Sequence, residues 1–381
     1  MITSPRVQTT HRRVLGVDLV LIGASLAVAC VGVVMVYSAT RGVLLAAGES
    51  PTAYLKRQAL WVVLGVVTMT IMAVIDYRRI ESVAMLIYTG SVLTLLVVLV
   101  PHIGSRATGS QRWFALGPLQ LQPSEFAVLA LIAAVATYCS RRNEGLAWRD
   151  VIRLLVMAGI PILLVMVQPD LGTAMIMTIV LLVMLAVAGL PNRILLMLIV
   201  GAVVAVVVAL EAGLLHKYQI TRITSFLHQD ARHLSKSQQA QIYNLQQAKT
   251  AIGSGGLFGT GLLHGAQTNL GYVPEQQTDF IFTAVGEQLG FVGATSVLAL
   301  LALVSWRLLR IGQLARDSFG RLLCAGLFTF VAFSTFQNAG MTMGIMPITG
   351  IPLPLVSYGG TAVVCFFTGI GVALSVYWRR A

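Results

Sequence analysis

The chain has 381 residues, of which 57% are hydrophobic and only 10% are charged. Soluble domains carry about 25% charged residues, so this composition excludes a soluble globular enzyme and indicates a polytopic membrane protein. The net charge is +12, but the basic residues lie between apolar runs instead of forming one patch, so no nucleic-acid partner is expected. The four cysteines are scattered through apolar segments, a pattern that supports neither a disulfide framework nor a zinc site.

Apolar runs long enough to cross a membrane recur along the chain. A spanning helix needs roughly 20 apolar residues, and this length predicts an all-α protein of about ten transmembrane helices in a single membrane domain, 1–381. The first run is longer than the core of a signal peptide, so we interpret it as a retained helix. The predicted spans are 14–39, 58–76, 82–101, 124–140, 151–167, 171–190, 194–212, 279–306, 321–340 and 358–378.

The arginines predict the orientation of these spans. With both termini in the cytoplasm, the cytoplasmic connections hold most of the arginines, as the positive-inside rule requires. One long extracytoplasmic loop, about 213–278, then connects spans 7 and 8. The short outer loops hold only Arg41, Lys56, Arg57, Arg106 and Arg112.

Three acids, Glu125, Asp170 and Asp279, lie at the outer ends of predicted spans, where a charge is costly and usually functional. Asp279 ends a polar run and opens an apolar one. Thr278 is predicted to cap that helix, which would place Asp279 in the first turn, where the helix dipole favours a carboxylate. Two interpretations stand: Asp279 helps to cap the helix, or it is a reactive carboxylate at the lipid headgroup level.

Two irregular regions are predicted on the outer side. Residues 235–253 favour one or two amphipathic helices on the membrane surface, ended by the glycines of 253–256, which form a flexible turn or a phosphate cradle. Residues 338–360 are rich in proline and glycine, and such backbone at membrane depth must be buried in protein or line a cavity. We therefore expect an outward-facing cavity between Asp279, the segment after Pro347 and the helix ends at Glu125 and Asp170.

Six motifs in a fixed order carry a family resemblance that covers almost the whole chain. The chain resembles the SEDS family (shape, elongation, division and sporulation), and LHGAQ at 263–267 is more similar to its elongation branch than to its division branch. The motifs are QRWFALGPLQLQPSE at 111–125, QPDLGTA at 168–174, YQITRITSF at 218–226, AIGSGGLFGTG at 251–261, PEQQTDFIF at 274–282 and GIPLPLVSYGG at 350–360.

The resemblance implies an inverting peptidoglycan glycosyltransferase that polymerises lipid II into β-1,4 glycan, with undecaprenyl diphosphate as leaving group. It implies action during cell elongation, at the outer face of the bacterial cytoplasmic membrane. Implied partners are a class B penicillin-binding protein and other membrane proteins of the elongation complex. The implied catalytic acid is Asp279, and the substrate-binding candidates are Arg112, Glu125, Asp170, Arg222, Lys249 and Ser357.

Two departures from the family pattern remove cations. Val128 stands where the family usually has lysine, and Thr260 stands where it often has lysine between glycines. The phosphate charge must then be met by Arg112, Arg222, Lys249 or a divalent cation, Mg²⁺ or Mn²⁺. Glu125 and Asp170 are candidates to bind that cation or to orient the basic residues; the alternative is that they hold helix ends together.

Two other functions compete with polymerisation. A lipid II flippase would also use intramembrane acids and broken helices, but it needs a polar path to both faces, whereas the acids here cluster on the outer side. A non-catalytic scaffold for the transpeptidase would need no ionised Asp279. Small residues of the late spans, including Gly326, Gly340, Gly369 and Gly371, are predicted to receive the partner's membrane helix, with packing inside the chain as the alternative.

Overall fold

The computed structural model describes residues 16–100, 104–107, 110–116, 119–142, 145–211, 217–227 and 236–380. Within these ranges the chain forms thirteen helices and three short strands. The helices are α1 (Leu19–Ala46), α2 (Ala53–Val74), α3 (Tyr77–Val98), α4 (Pro123–Ser140), α5 (Trp148–Val167), α6 (Leu171–Val187), α7 (Asn192–Glu211), α8 (Lys217–Leu227), α9 (Lys236–Ser254), α10 (Ala266–Asn269), α11 (Ile281–Leu314), α12 (Ser318–Met343) and α13 (Gly360–Trp378). The strands are β1 (Ser105–Ala107), β2 (Ser110–Leu116) and β3 (Leu119–Leu121).

Ten helices of the described ranges, α1 to α7 and α11 to α13, correspond one to one with the predicted spans. Eight of them are long and apolar enough to cross a membrane, and α6 and the apolar part of α7 are shorter. The chain is therefore a polytopic helical membrane protein, as predicted.

The first helix ends later than predicted, because its polar residues do not break it. The hydroxyl of Thr40 donates a hydrogen bond to the carbonyl of Val36, so this polar group has its partner within the helix. Gly42 then lies against the backbone of Asn269 in α10, where a Cβ would come within 2.5 Å of the Asn269 carbonyl oxygen. The last turns of α1 thus support the loop that carries α10.

The glycines of the late spans pack inside the chain. A Cβ at Gly326 would lie 2.6 Å from Ile132 of α4, and a Cβ at Gly371 would lie 2.4 Å from the carbonyl oxygen of Met69 in α2. Gly340 and Gly369 likewise face Met346 and Leu327. The prediction that these glycines receive a partner helix is therefore wrong, since neighbours of the same chain already fill the space.

The predicted surface helix of the outer loop is present as α9, but its apolar residues pack on the chain itself. Ala248 and Ala251 are fully buried in a small cluster with Val273 and Phe280, which lead into α11. The glycines after α9 also serve packing, because a Cβ at Gly255 would lie 2.0 Å from the carbonyl oxygen of Gly286 in α11. Gly255 thus lets the backbones of the two elements approach closely.

A three-stranded antiparallel sheet, in the order β1–β2–β3, precedes α4 and was not predicted. Its strands are only three to seven residues long. Such short strands lack the run of alternating residues that marks a strand in a sequence. The sheet matters because β2 carries Arg112.

The two ends of the helix bundle differ in their charged contacts. At the end where α1 begins and α13 finishes, arginines pair with acids: Arg307 with Asp18, Arg379 with Asp76, and Arg142 with Asp150. The opposite end carries the sheet, the loop from α7 to α11 and the segment between α12 and α13. The three acids of the predicted site, Glu125, Asp170 and Asp279, lie at that second end.

Helix α11 is interrupted at Gly290, whose φ of 67° and ψ of −167° are not helical. The loop after α9 supplies hydrogen-bond partners for backbone groups of α11 at this break. The amides of Thr260 and Gly261 donate to the carbonyls of Glu287 and Gln288, at 2.9 and 3.1 Å. The amides of Phe291 and Val292 in turn donate to residues 256 and 257 of the loop. These four bonds give partners to backbone groups at the break, as an apolar environment requires.

Replacing Gly290 by alanine should destabilise the protein. A Cβ there would lie 2.2 Å from the amide nitrogen of Gly259, and the left-handed backbone conformation adds strain, so we expect a loss of about 2 kcal/mol or more. Thermal unfolding in detergent measures it. Gly23→Ala is the matched control, because Gly23 lies in α1 with nothing within 4 Å of its Cβ position. Equal midpoints for the two variants would contradict the role given to this break.

Candidate active site

At the end of the bundle opposite the paired arginines, the helices enclose a cavity of about 800 Å³. Its wall is built from α2, β2, the first turns of α4 and α6, α8, α9, the turn before α11 and the segment after α12. These include the elements between which a cavity was predicted, so its location within the bundle is as predicted. Five of the predicted site residues line it: Arg112, Glu125, Asp170, Arg222 and Asp279.

Asp279 lies in a tight turn just before α11. The carbonyl oxygen of Glu275 accepts hydrogen bonds from the amides of Thr278, Asp279 and Phe280, at 3.2, 3.1 and 3.4 Å. The helix therefore begins only at Ile281, and its N-cap position is Phe280, without a side-chain cap. The prediction that Thr278 caps the helix is wrong, because its hydroxyl donates to the Glu275 carbonyl. The Asp279 carboxyl lines the cavity.

Two contacts hold this turn against the segment that follows α12. The buried side chain of Asn338 donates to the carbonyls of Asp279 and Ile351, each at 2.8 Å. The amide of Tyr358 donates to the carbonyl of Gln277, also at 2.8 Å. In the sequence, Asn338 stands out only as the border of the Pro/Gly segment, because an asparagine next to a loop gives no signal of the backbone groups that it contacts in the fold.

Arg222 and Asp279 converge on the backbone of Gly350. A Cβ at this glycine would lie 3.1 Å from Oδ2 of Asp279 and 3.7 Å from both terminal nitrogens of Arg222. Gly350 also has a φ of +77°, which favours glycine. The segment after α12 thus leaves room for a cation and a carboxylate side by side.

Burial raises the pKa of Asp279 to about 6. The guanidinium of Arg222 acts against this rise, the carboxylates of Glu275 and Asp170 add to it, and Arg112 opposes it more weakly. The loss of hydration outweighs the cations, because removing a carboxylate from water penalises its charged form. A carboxyl with a pKa near 6 is still ionised at neutral pH and is a better proton acceptor than an ordinary aspartate.

Asp170 is the N-cap of α6 and accepts four hydrogen bonds. Its Oδ1 accepts from the amide of Thr173 at 3.2 Å. Its Oδ2 accepts from the hydroxyl of Thr173 at 2.9 Å, from the side-chain Nε2 of Gln122 at 3.1 Å and from the hydroxyl of Ser124 at 3.3 Å. The carboxylate therefore ties the start of α6 to the start of α4, where Glu125 is also buried.

Arg112 fastens the sheet to the turn before α6. Its Nε donates to the carbonyl of Gln168 at 2.6 Å, and its second guanidinium nitrogen donates to the carbonyl of Pro169. These carbonyls orient the guanidinium, which lines the cavity between them and Asp170. In the part of the chain that the structure describes, no group of three or more His, Cys, Asp or Glu side chains could hold a metal ion.

A third cation of the cavity wall, Arg57, was not predicted as a site residue, because the sequence indicated only its part in the orientation of the spans. Arg57 lies near the side chain of Tyr358. The ring of Tyr358 meets that of Tyr54 edge-on, with centroids 4.8 Å apart, and Trp61 and Trp113 extend this aromatic wall. The available signal was position: few cations lie in the short outer loops, so each is a candidate for a local role.

Two predicted substrate-binding residues lie outside the cavity lining. Lys249 is an exposed residue of α9 whose side chain covers Gly344 at the end of α12. Ser357 is buried, and its hydroxyl accepts a hydrogen bond from the amide of Leu353 at 2.8 Å, which shapes the segment after α12.

The two positions that depart from the family pattern also lie away from the cavity lining. Val128 is fully buried in the core of α4. Thr260 is an exposed loop residue that bonds to the carbonyl of Glu287. The cations that line the cavity among the described residues are Arg57, Arg112 and Arg222.

Replacing Asn338 by leucine should destabilise the protein, because two buried carbonyls would lose their donor. Each unsatisfied buried group costs about 1–3 kcal/mol, so we expect a loss of about 2 kcal/mol or more, measured by thermal unfolding in detergent. Asn192→Leu at the exposed start of α7 is the control. A midpoint as high as that of the control would show that Asn338 does not hold the turn.

Comparison with known proteins identifies the family. The family of cell cycle proteins that includes FtsW, RodA and SpoVE matches residues 18–380. The peptidoglycan glycosyltransferase MrdB of Escherichia coli K12 is 37% identical over 357 residues, which cover 91% of each chain.

Two solved structures share the fold. A chain of a peptidoglycan synthase complex superposes with a TM-score of 0.79 at 29% identity, covering 96% of this chain and 99% of that one. The rod shape determining protein RodA of Thermus thermophilus superposes with a TM-score of 0.70 at 28% identity, covering 96% and 98%. From these matches and the site geometry, the chain belongs to the FtsW, RodA and SpoVE family of cell cycle proteins.

Proposed function

We propose that this chain polymerises lipid II into glycan strands, with Asp279 as the general base. It is a peptidoglycan glycosyltransferase, the activity named for its relatives. The observation that carries the proposal is the pairing of a half-buried carboxyl of raised pKa with three arginines around one large cavity.

The chemistry of the reaction requires such a pair. Lipid II carries its disaccharide on an α-linked diphosphate, and forming a β-1,4 bond inverts the anomeric carbon. One direct displacement achieves this without a covalent enzyme intermediate. The attacking 4-hydroxyl must lose a proton to a base, and the departing diphosphate must be stabilised by positive charge.

The residues of the cavity divide these tasks. Asp279 takes the proton of the attacking hydroxyl, while Arg222, which converges on the same glycine, holds it ionised before the reaction. Arg57 and Arg112 supply further positive charge for the diphosphate. The aromatic wall beside Arg57 offers flat apolar faces for the sugar rings.

Glu125 and Asp170 organise the wall in this proposal. Asp170 already accepts hydrogen bonds from three side chains and a backbone amide, so a metal ion could bind there only by displacing these donors. The residues present therefore do not fit a Mg²⁺ or Mn²⁺ site at Asp170, and we assign no step to a metal.

The cavity faces the outside of the bacterial cytoplasmic membrane in this proposal. The support is the positive-inside rule, because the arginine-rich end of the bundle lies opposite the cavity. We also propose a class B penicillin-binding protein as the partner that crosslinks the glycan, within an elongation complex, since a related chain comes from a peptidoglycan synthase complex.

Replacing Asp279 by asparagine should abolish polymerisation, because the amide keeps the size of the side chain but cannot accept the proton. Loss of a general base costs about 10²–10⁴-fold in rate. Polymerisation of purified lipid II by the full chain measures this, and Glu49→Gln, an exposed outer loop change, is the control. Near-normal synthesis by folded Asp279→Asn protein would refute the assignment of Asp279 as the base, whereas no synthesis by the unaltered chain would favour a scaffold or a flippase.

The rate of polymerisation should fall as pH drops through about 6. A base acts only when it is ionised, and the pKa of Asp279 is about 6, so about a tenth of the plateau rate should remain at pH 5. Glu275→Gln should move the midpoint to lower pH, because the Glu275 carboxylate raises the pKa of Asp279. A flat profile between pH 5 and 8 would refute the assignment of Asp279 as the base.

A further inference from the structure

A second acid of α11, Glu287, is buried outside the cavity and takes no part in the chemistry above. Only 1% of its surface is exposed. Its Oε1 accepts from the amide of Gln267 at 2.7 Å. Its Oε2 accepts from the amide of Thr268 at 3.0 Å and from the Thr268 hydroxyl at 2.6 Å. The carboxylate therefore binds the start of α10 with three donors.

A chain of hydrogen bonds continues from this carboxylate to the turn that carries Asp279. The Thr268 hydroxyl accepts from Nε2 of Gln276 at 3.1 Å, and the same nitrogen donates to the hydroxyl of Thr283 at 3.0 Å. Thr283 in turn donates to the carbonyl of Phe280 at 2.7 Å. Gln276 and Phe280 lie on either side of Asp279 within the turn.

The carboxylate sets the direction of every bond in this chain. A carboxylate only accepts, so the Thr268 hydroxyl must donate to it and accept from Gln276. The amide group of Gln276 is thereby oriented with its nitrogen toward both threonines. Thr283, which accepts from that nitrogen, must give its own proton to Phe280. All four side chains are buried, and of their polar atoms Oε1 of Gln276 alone has no hydrogen-bond partner. The bonds that join the four side chains restrain the backbone to which they are attached.

We propose that Glu287 is a positioning residue for Asp279, acting through Thr268, Gln276 and Thr283. The network meets the turn at Gln276 and Phe280, while Asn338 and Tyr358 donate to the carbonyls of Asp279 and Gln277. The inference rests on the proposed role of Asp279 as base. A base that moves by about 1 Å from the attacking hydroxyl loses on the order of 10²-fold in rate.

Thr268→Val tests the proposal, because it removes the hydroxyl that joins Glu287 to Gln276 and keeps the shape of the side chain. We expect kcat for lipid II polymerisation by the full chain to fall at least about tenfold, with KM within about twofold. Thr268→Ser, which restores the hydroxyl, should recover kcat. Thr329→Val is the matched control: Thr329 is a buried threonine of α12 whose hydroxyl bonds only within its own helix.

The pH profile separates positioning from simple loss of stability. The charged groups that face Asp279 are Arg222 of α8, Glu275 of the same turn, Asp170 at the start of α6 and Arg112 of β2, and none of them is changed. A loosened turn lets water reach the carboxyl, so the acid midpoint of the Thr268→Val protein should move below 6. A variant that merely unfolds more easily would keep the midpoint of the remaining active protein.

The outcomes decide between the alternatives. Wild-type kcat and midpoint in Thr268→Val, or a loss that Thr268→Ser does not restore, would overturn the proposal. If Thr268→Val does not fold, Thr283→Val breaks the same chain at its other end and must show the same loss of kcat and the same shift. An inactive Asp279→Asn protein with a normal Thr268→Val protein would reject the positioning role alone, whereas an active Asp279→Asn protein would reject the base itself.

Discussion

The site depends on one backbone oxygen, the carbonyl of Glu275, which accepts hydrogen bonds from three successive amides. Those amides would otherwise belong to the first turn of α11. Because these amides bond within the turn, α11 starts two residues after Asp279, and the Asp279 side chain does not cap the helix. Its carboxyl then lies in a wall from which much of the water is excluded, and burial gives it the basicity that a helix cap would have removed.

The irregular segments of this protein satisfy one another. Asn338 supplies donors to two separate pieces of loop backbone, and the loop after α9 completes the ladder that Gly290 interrupts. This mutual pairing follows from the surroundings, since a backbone polar group that meets neither water nor a partner costs several kcal/mol in an apolar environment. The same pairing makes the cavity wall a connected structure, in which a change at one segment reaches the next.

The architecture could be predicted from the amino-acid sequence. Ten apolar runs of about 20 residues can be satisfied only as membrane helices, so the spans followed from composition, and the arginines predict their orientation. Asp279, Glu125 and Asp170 also stood out, because a charge at the end of an apolar run is costly and therefore conspicuous. Arg222 was predicted only from the family motifs, because a cation in an amphipathic loop does not stand out as a costly charge.

The use of these residues became visible only in the folded chain. Lys249 and Ser357 were predicted from the same family resemblance as Arg222 yet lie outside the cavity lining, whereas Arg57 of α2 belongs to it. The start of α11 was misplaced for the same reason, since Thr278 has the chemistry of a cap but bonds to Glu275. Local pattern records which groups a residue could bind. Which of them it does bind depends on partners up to hundreds of positions away, brought within 3 Å by packing.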